Sequence, residues 1–536
     1  MKADIRIDSK KITGQVSPMI FGQFIEHMGR AIYGGIYEPG NPLSDKNGFR
    51  VDVIEKIKEL NPPILRWPGG NFSSGYHWMD GIGPVDKRPV KMELAWETIE
   101  TNQFGTHEFM QLCERIDTEP YVAVNLGWGT SEEAVNWLEY CNSNKDTYYA
   151  NLRKQNKMEK SFDVKYWGLG NEIYGTWQHG HCEAEEYAAK SVETAKMMKK
   201  MDPEIRFIFC GANNSEWDRK VLDYLYKNGY ASLVDYISLH RYDGGPGYYK
   251  TLLSTMDFER NVTAVEGLIS MIENTYPGMH LPSIAVDEWN VWYRKSCDRR
   301  TAEKYFRKGE NLLEEFYSLT DALYVGSVLN TFIRHCNTVK IANMAQMVNV
   351  IAPIWTTREG SFYQPIFFPM KYYRAWHNEH ALDVTVESEK LTANTDIEQE
   401  EKERYGQYLP VHWENSDDAW KWPRHWFSKN FSYIDAAGTI SSDRKKITVS
   451  IVNRHRDMDC KINLEIFGFC PQNCSRVLIT GSEPMAAALM PGGDDISQTI
   501  HNPETCVVKE KTENNVRDKN LEIPAHSILM LKFSAK

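Results

Sequence analysis

Between about residue 17 and residue 380, short apolar runs alternate with amphipathic stretches. Eight runs read as strands: MIFGQFIEH (19–27), PILRWPGG (63–70), PYVAVNLG (120–127), VKYWGLGNE (164–172), RFIFCGAN (206–213), VDYISLHRY (234–242), SIAVDEWN (283–290) and ALYVGSVLN (322–330). Most are near-continuous rather than alternating, which marks parallel strands covered on both faces. Between them, VDVIEKIKEL (51–60) places Ile54, Ile57 and Leu60 on one helical face. CEAEEYAAKSVETAKMMKK (182–200) places Ala184, Ala188, Val192 and Ala195 on one stripe with charges opposite. Eight strands alternating with helices over about 360 residues predict a (β/α)8 barrel with long loops. A doubly wound open sheet is the rival; it needs no closure and often has fewer strands.

The pattern changes after about residue 430. KKITVSIVN puts Ile447, Val449 and Ile451 on one side, CKINLEIFG does the same with Ile462, Leu464 and Ile466, and HSILMLKFS closes the chain. This period of two predicts an antiparallel β-sandwich. DIRID near the N-terminus also alternates, with Ile5 and Ile7 on one face, and is expected to add a strand to that sandwich. The expected division is therefore residues 1–16 as a strand of the sandwich, 17–380 as the barrel and 381–536 as the sandwich domain. Residues 395–427 are charged and then Trp-rich without a clear period, and read as an insertion or long loop at the junction.

Composition narrows the function. A formal net charge of −11 disfavours nucleic acid and anionic membranes as partners. No apolar run is long enough to span a membrane, and MKADIRIDSKKITGQ contains no apolar signal core. Ten cysteines scattered over the chain suit a reducing cytoplasm. CPQNC (470–474) and HGHC (179–182) lack a second half at zinc-site spacing, so no metal site is expected. Aromatic residues make up 12% of the chain; most will fill the core, but aromatic clefts also bind the apolar faces of sugars.

In a (β/α)8 barrel the working residues sit at the C-terminal ends of the strands. Read this way, the strands end on Glu26 and His27; Arg66, Trp67, Gly69, Gly70 and Asn71; Asn125; Asn171 and Glu172; His240, Arg241 and Tyr242; and Asp287, Glu288 and Trp289. Glu172 and Glu288 form the pair that glycoside hydrolysis requires: one protonates the leaving oxygen while the other attacks the anomeric carbon or activates water. The acid must keep its proton near neutral pH, through burial or a neighbouring negative charge. Trp167 and Trp177 near Glu172, and Trp289 and Trp292 near Glu288, are candidate aromatic walls. Each Glu alone reads equally as a salt-bridged strand end. Asn171 is suited to hydrogen-bond a sugar hydroxyl or to cap the strand. Gly168-Leu-Gly170 does not meet the dinucleotide fingerprint, because Asn-Glu stands where a third Gly should open a helix. Those glycines read instead as room for a sugar and a tight strand exit.

FGQFIEHMGRAIYGGIYEPG, LRWPGGNFSSGYHWMDGIGP, WGLGNEIYGTWQHG, AVDEWNVWY and AQMVNVIAPI, in that order along the chain, resemble glycoside hydrolase family 51. The resemblance covers about residues 18–380 and, more weakly, the tail. It implies a (β/α)8 barrel with a β-sandwich and a non-reducing-end α-L-arabinofuranosidase. It further implies retention of configuration, no cofactor and a homo-oligomer, a hexamer in the family pattern. By position, Glu172 resembles the family's acid/base and Glu288 its nucleophile. Glu26, Asn71, Asn171, Tyr242 and Gln346 resemble residues that hold the furanose, and Trp96 and Trp292 aromatics that line its pocket. The chain departs from the pattern at NLGWGTSEEA, where the family commonly carries an NLG-x-RG sequence, and at IYGTWQHG after the acid. Related alternatives are a β-D-galactofuranosidase, a β-xylosidase or a glucanase. The rival from another class is a non-catalytic carbohydrate-binding barrel. The expectation is a cytoplasmic enzyme that trims arabinose-containing oligosaccharides derived from hemicellulose.

Overall fold

The computed structural model describes residues 1–212, 215–293, 312–405, 421–485, 489–490, 500–501, 506–514 and 520–535. Eight parallel strands close into a barrel: Gly22–Phe24, Ile64–Trp67, Glu119–Val124, Tyr166–Leu169, Arg206–Phe209, Tyr236–Asp243, Ser283–Val291 and Val339–Ala345. The open doubly wound alternative is thereby excluded. Ile64, Tyr121, Ile208, Tyr236, Ala285 and Ile341 pack against one another in the barrel interior. Gly168 makes room for this layer, since a Cβ there would lie 3.0 Å from the Tyr121 ring. Its missing side chain therefore accommodates a barrel neighbour rather than a sugar. Gly170 makes the strand exit with φ +81°, a conformation that favours glycine.

The eighth strand is not the one expected. ALYVGSVLN lies inside the helix Leu319–Arg334, and the strand is Val339–Ala345. The helix begins at a capping box, with Asp321 accepting from the Ser318 N–H at 2.6 Å. Every residue from Leu319 to Ile333 is buried. One side of this helix faces the barrel and the other the C-terminal sheet, where a Cβ on Gly326 would lie 2.9 Å from Ile528. A helix enclosed on all sides carries no apolar stripe, so its sequence looks like that of a buried strand.

Nine further strands form one hydrogen-bonded sheet, in the order Val507–Asn514, Asn473–Thr480, Ser527–Ser534, Lys446–Asn453, Ile434–Ile440, His380–Ser388, Lys2–Gln15, Cys460–Phe467, Asn520–Ile523, and the other strands pair in two-stranded ribbons. The N-terminal strand pairs antiparallel with His380–Ser388 and parallel with Cys460–Phe467, the latter an exception to the expected antiparallel pattern. Ile5, Ile7, Ile447, Val449, Ile451, Ile462 and Leu464 meet in one core, so the sheet folds over on itself into two facing layers. Part of the stretch expected to be a loop at 395–427 is the helix Thr395–Tyr405; residues 406–420 lie outside the described residues.

Candidate active site

The polar strand ends predicted from the sequence converge on one rim, though not all of them reach the same space. Glu26, Asn71, Trp96, Glu172, Tyr242, Glu288, Trp292 and Gln346 line a single cavity of about 880 Å³. Asn171 lies just beneath it. Others hold the frame. His27 is buried, bonded through Nδ1 to Glu100 at 2.9 Å and accepting from Trp67 Nε1 at 3.1 Å. Asn125 ties down the loop that follows it, accepting from the N–H groups of Trp128 and Gly129. Trp167 and Trp289 are core residues and not walls: the indole of Trp167 donates to the Val164 carbonyl, and Trp289 packs edge-on against Phe258 and Phe332. Only Trp177 and Trp292 of the four expected walls stand at the cavity.

Glu172 follows the fourth barrel strand with φ 45°, a left-handed conformation that is uncommon for a residue with a Cβ. The turn is held by the Gly175 N–H donating to the Glu172 carbonyl at 2.7 Å. Its Oε1 accepts from Tyr174 at 3.2 Å and lies 2.9 Å from His240 Nδ1, and its Oε2 accepts from Trp177 Nε1 at 2.8 Å. The unusual IYG sequence is thereby accounted for: Ile173 is buried, Tyr174 reaches the carboxylate, and Gly175 closes the turn.

Glu288 is held from two sides. Arg66 Nη1 donates to Oε1 at 2.6 Å and the Tyr242 hydroxyl to Oε2 at 2.8 Å. Arg66 also donates to Asn171 Oδ1 at 2.6 Å, which leaves the Asn171 amide Nδ2 buried without a protein partner. That nitrogen faces Gly70, where a Cβ would sit 2.9 Å from Glu288 Oε1 and 3.2 Å from Glu26 Oε2. Only glycine leaves the space between these groups open. Glu26 is tied to the cavity wall by Phe72 N–H at 3.0 Å, Trp96 Nε1 at 2.8 Å and Gln346 Nε2 at 3.1 Å. Trp96 reaches this position from the turn of a hairpin between Lys91–Glu93 and Thr98–Glu100, which carries no periodic signature.

The electrostatics differ from the simple expectation of one raised acid. Burial by itself would push Glu172 up, but the hydrogen bond and charge of His240 outweigh it and hold the carboxyl below its ordinary value. Burial would push His240 down, yet Glu288, Asp287 and Glu172 around it raise it to about 10. Its Nε2 is 3.2 Å from Asp287 Oδ1, so both ring nitrogens face carboxylates and the imidazole carries two protons. The carboxyl that is raised is Glu26, to about 7, through burial and then the charge of Glu288. His240, Arg66 and Asp287 were visible in the sequence only as polar strand ends; their link to the two Glu requires barrel closure.

One oxygen each of Glu172 and Glu288, together with a ring nitrogen of His240, lie within 4.8 Å of one another. Among the described residues this is the one group of three or more such side chains with the spacing of a metal site; neither HGHC nor CPQNC forms one. With His240 protonated between carboxylates, its nitrogens serve as donors rather than as metal ligands.

Residues 56–254 match the model of the α-L-arabinofuranosidase 1 domain, and residues 287–527 that of the α-L-arabinofuranosidase C-terminal domain. The chain is 37% identical to a probable α-L-arabinofuranosidase C of Aspergillus clavatus, over 99% of this chain and 97% of that protein. It is 38% identical to an intracellular exo-α-(1→5)-L-arabinofuranosidase of Bacillus subtilis, over 87% of this chain and 88% of that one. The crystal structure of an α-L-arabinofuranosidase from Thermotoga maritima in complex with arabinose superposes on the whole chain with a TM-score of 0.82 at 35% identity. A closed barrel with two carboxylates at its rim, an N-terminal strand woven into the C-terminal sheet, and relatives matching over nearly the full length lead to one assignment: the chain is a glycoside hydrolase of family 51, among the α-L-arabinofuranosidases.

Proposed function

We propose that the protein is a retaining exo-hydrolase that removes α-L-arabinofuranosyl groups from non-reducing ends, with Glu288 as nucleophile and Glu172 as acid/base. The observation that carries the roles is the closeness of the two carboxyls, whose nearest oxygens are within 4.8 Å. Retaining enzymes hold their pair at about 5–5.5 Å, whereas inverting enzymes leave about 6.5–9.5 Å for a water between them. A Glu288 oxygen attacks the anomeric carbon as the bond to the leaving oxygen breaks and that oxygen takes a proton. Water then attacks the same carbon, Glu172 takes the water's proton, and the ester to Glu288 breaks. The proton for the first step belongs to the Glu172–His240 pair, whose atoms are 2.9 Å apart, and reaches the leaving oxygen through Glu172. The unpartnered Asn171 amide is placed to bind a ring hydroxyl as charge develops at the anomeric centre. Glu26, Asn71, Tyr242 and Gln346 hold the furanose, between Trp96 and Trp292. By the name of its Bacillus subtilis relative, we place the enzyme inside the cell, acting on imported arabino-oligosaccharides.

The test is a panel of p-nitrophenyl α-L-arabinofuranoside, β-D-galactofuranoside, β-D-xyloside and β-D-glucoside, with the first product followed by proton NMR. Hydrolysis of the arabinofuranoside with α-arabinofuranose formed first is the expected result; activity on none of the four, or β-product formed first, overturns the reading. Glu288→Ala should lose turnover by several orders of magnitude. A variant with undiminished turnover would sink Glu288 as nucleophile.

A further inference from the structure

Among the exposed large apolar side chains, Val90, Met92, Leu94, Trp128 and Trp177 lie in segments that follow the second, third and fourth barrel strands. Several border a second cleft of about 190 Å³, lined by Gly75, His77, Leu94, Trp128 and His179 among others. This cleft adjoins the catalytic cavity through shared segments. Asn71 lines the cavity and Phe72 the cleft; the hairpin contributes Trp96 to the cavity and Leu94 to the cleft. On the opposite side, Trp177 contacts Glu172, and His179 follows two residues later.

The floor of the cleft is built rather than incidental. The rings of Trp128 and His179 stack at 4.7 Å and 30°. The Trp128 N–H donates to the Ser74 carbonyl and to Asn125 Oδ1, both at 3.0 Å, and Gln178 Nε2 donates to Ser74 Oγ at 2.5 Å. The loops meet at Gly127 and Gly180, where a Cβ on Gly180 (φ +77°) would sit 2.4 Å from the Gly127 Cα. This ordered support holds an indole that remains 53% exposed, and the His179 Nε2 beside it is buried with no protein partner. An exposed ring and an unused polar atom suit a ligand with apolar faces and hydroxyl edges, which is what a sugar ring offers.

We propose that Trp128 and His179 form a platform for the sugar ring on the leaving-group side of the scissile bond, so that the enzyme favours substrates with at least one ring beyond the group it removes. The proposal rests on the arabinofuranosidase reading above. Its direction follows from Glu172: the proton is delivered to the leaving oxygen, so the rest of the substrate departs past Glu172, and the chain from Glu172 to His179 leads to the platform.

The measurement is the ratio of kcat/KM for an α-(1→5)-linked arabinofuranosyl trisaccharide to that for p-nitrophenyl α-L-arabinofuranoside. Trp128→Ala should lower this ratio about tenfold, the size of one lost ring-stacking contact, and Trp128→Phe should restore most of it. His179→Ala should also lower the ratio, by loss of both the hydroxyl partner and the support of the indole. A ratio unchanged in Trp128→Ala, with both substrates still cleaved, overturns the platform and leaves the arabinofuranosidase reading standing. Wild-type protein that cleaves neither substrate overturns both. Molar mass by light scattering covers the remaining occupant: if Trp128→Ala dissociates an oligomer while the ratio holds, the patch is an interface between copies and the proposal fails.

Discussion

His240 carries a proton that the two-carboxylate scheme does not name. It lies 2.9 Å from Glu172 Oε1 and 3.5 Å from Glu288 Oε2. If the pair carries the catalytic proton, the wild-type basic limb of kcat/KM reports loss of that proton near the raised value of His240, about 10. In His240→Asn only Glu172 remains to hold it. Burial and the neighbouring carboxylate then raise Glu172 above its ordinary value, but not as far. The basic limb is therefore expected to move to lower pH; a limb that stays in place would remove His240 from the proton path. Tyr242 poses a simpler question, since its hydroxyl is one of two donors on Glu288. Tyr242→Phe removes that bond and should cut kcat/KM by about 10- to 100-fold, the value of one hydrogen bond to a charged group. Steady-state kinetics on the aryl arabinofuranoside would show it.

Among the elements, the helices Tyr248–Thr275 and Leu319–Arg334 carry a charged seam at their junction. His335 Nδ1 is 3.0 Å from Glu266 and its Nε2 is 3.4 Å from Glu259. Burial would lower His335, but these two carboxylates outweigh it and raise it to about 9. A folded-state value above the ordinary 6.5 contributes stability that is fully present below about pH 6.5 and is lost as pH rises through about 9. Thermal melts of wild-type protein should show Tm falling across that window, and His335→Gln should flatten the fall. Equal slopes in the two proteins would show that the seam is not the titrating element. The same helix carries a sequence pattern that predicts a strand over 322–330. Pattern reading depends on contrast between a wet and a dry face, and Leu319–Arg334 has no wet face. The strand that closes the barrel, Val339–Ala345, has no continuous apolar run, because Lys340 and Asn343 interrupt it. In the fold Asn343 is buried, and its Nδ2 donates to the Gln23 carbonyl at 2.8 Å.

At the scale of the whole molecule, the helix Thr395–Tyr405 joins barrel to sheet. Its Glu401 is fully buried and is paired with Arg456, which also contacts Glu400 and Asp457. Glu401 in addition accepts from the Tyr249 N–H at 2.8 Å, at the start of a barrel helix. Arg456→Met leaves that carboxylate buried without its cation and should cost about 3–5 kcal/mol. Arg456→Met combined with Glu401→Leu should recover much of the loss, because two apolar groups replace two charges. Denaturant melts of both variants would check this, and a double variant no more stable than the single one would show that the pair is not what joins the parts.

The alternation of apolar runs with amphipathic stretches determined the barrel, because strands covered on both faces and helices covered on one leave different patterns in a linear sequence. The strand ends likewise determined which polar residues face the rim, and the resemblance of five motifs pointed to the family. Only the tertiary structure decided which of those residues act together. The link between Glu172 and His240, the support of Glu288 by Arg66 and Tyr242, and the open amide of Asn171 all join residues far apart in sequence, whose distances depend on barrel closure. Tertiary structure also sorted the four tryptophans into two core residues and two at the cavity, since burial is a property of the neighbours a ring acquires. It showed, finally, that Trp128 stacks on His179 beside the catalytic cavity, a contact between two loops that no local pattern encodes.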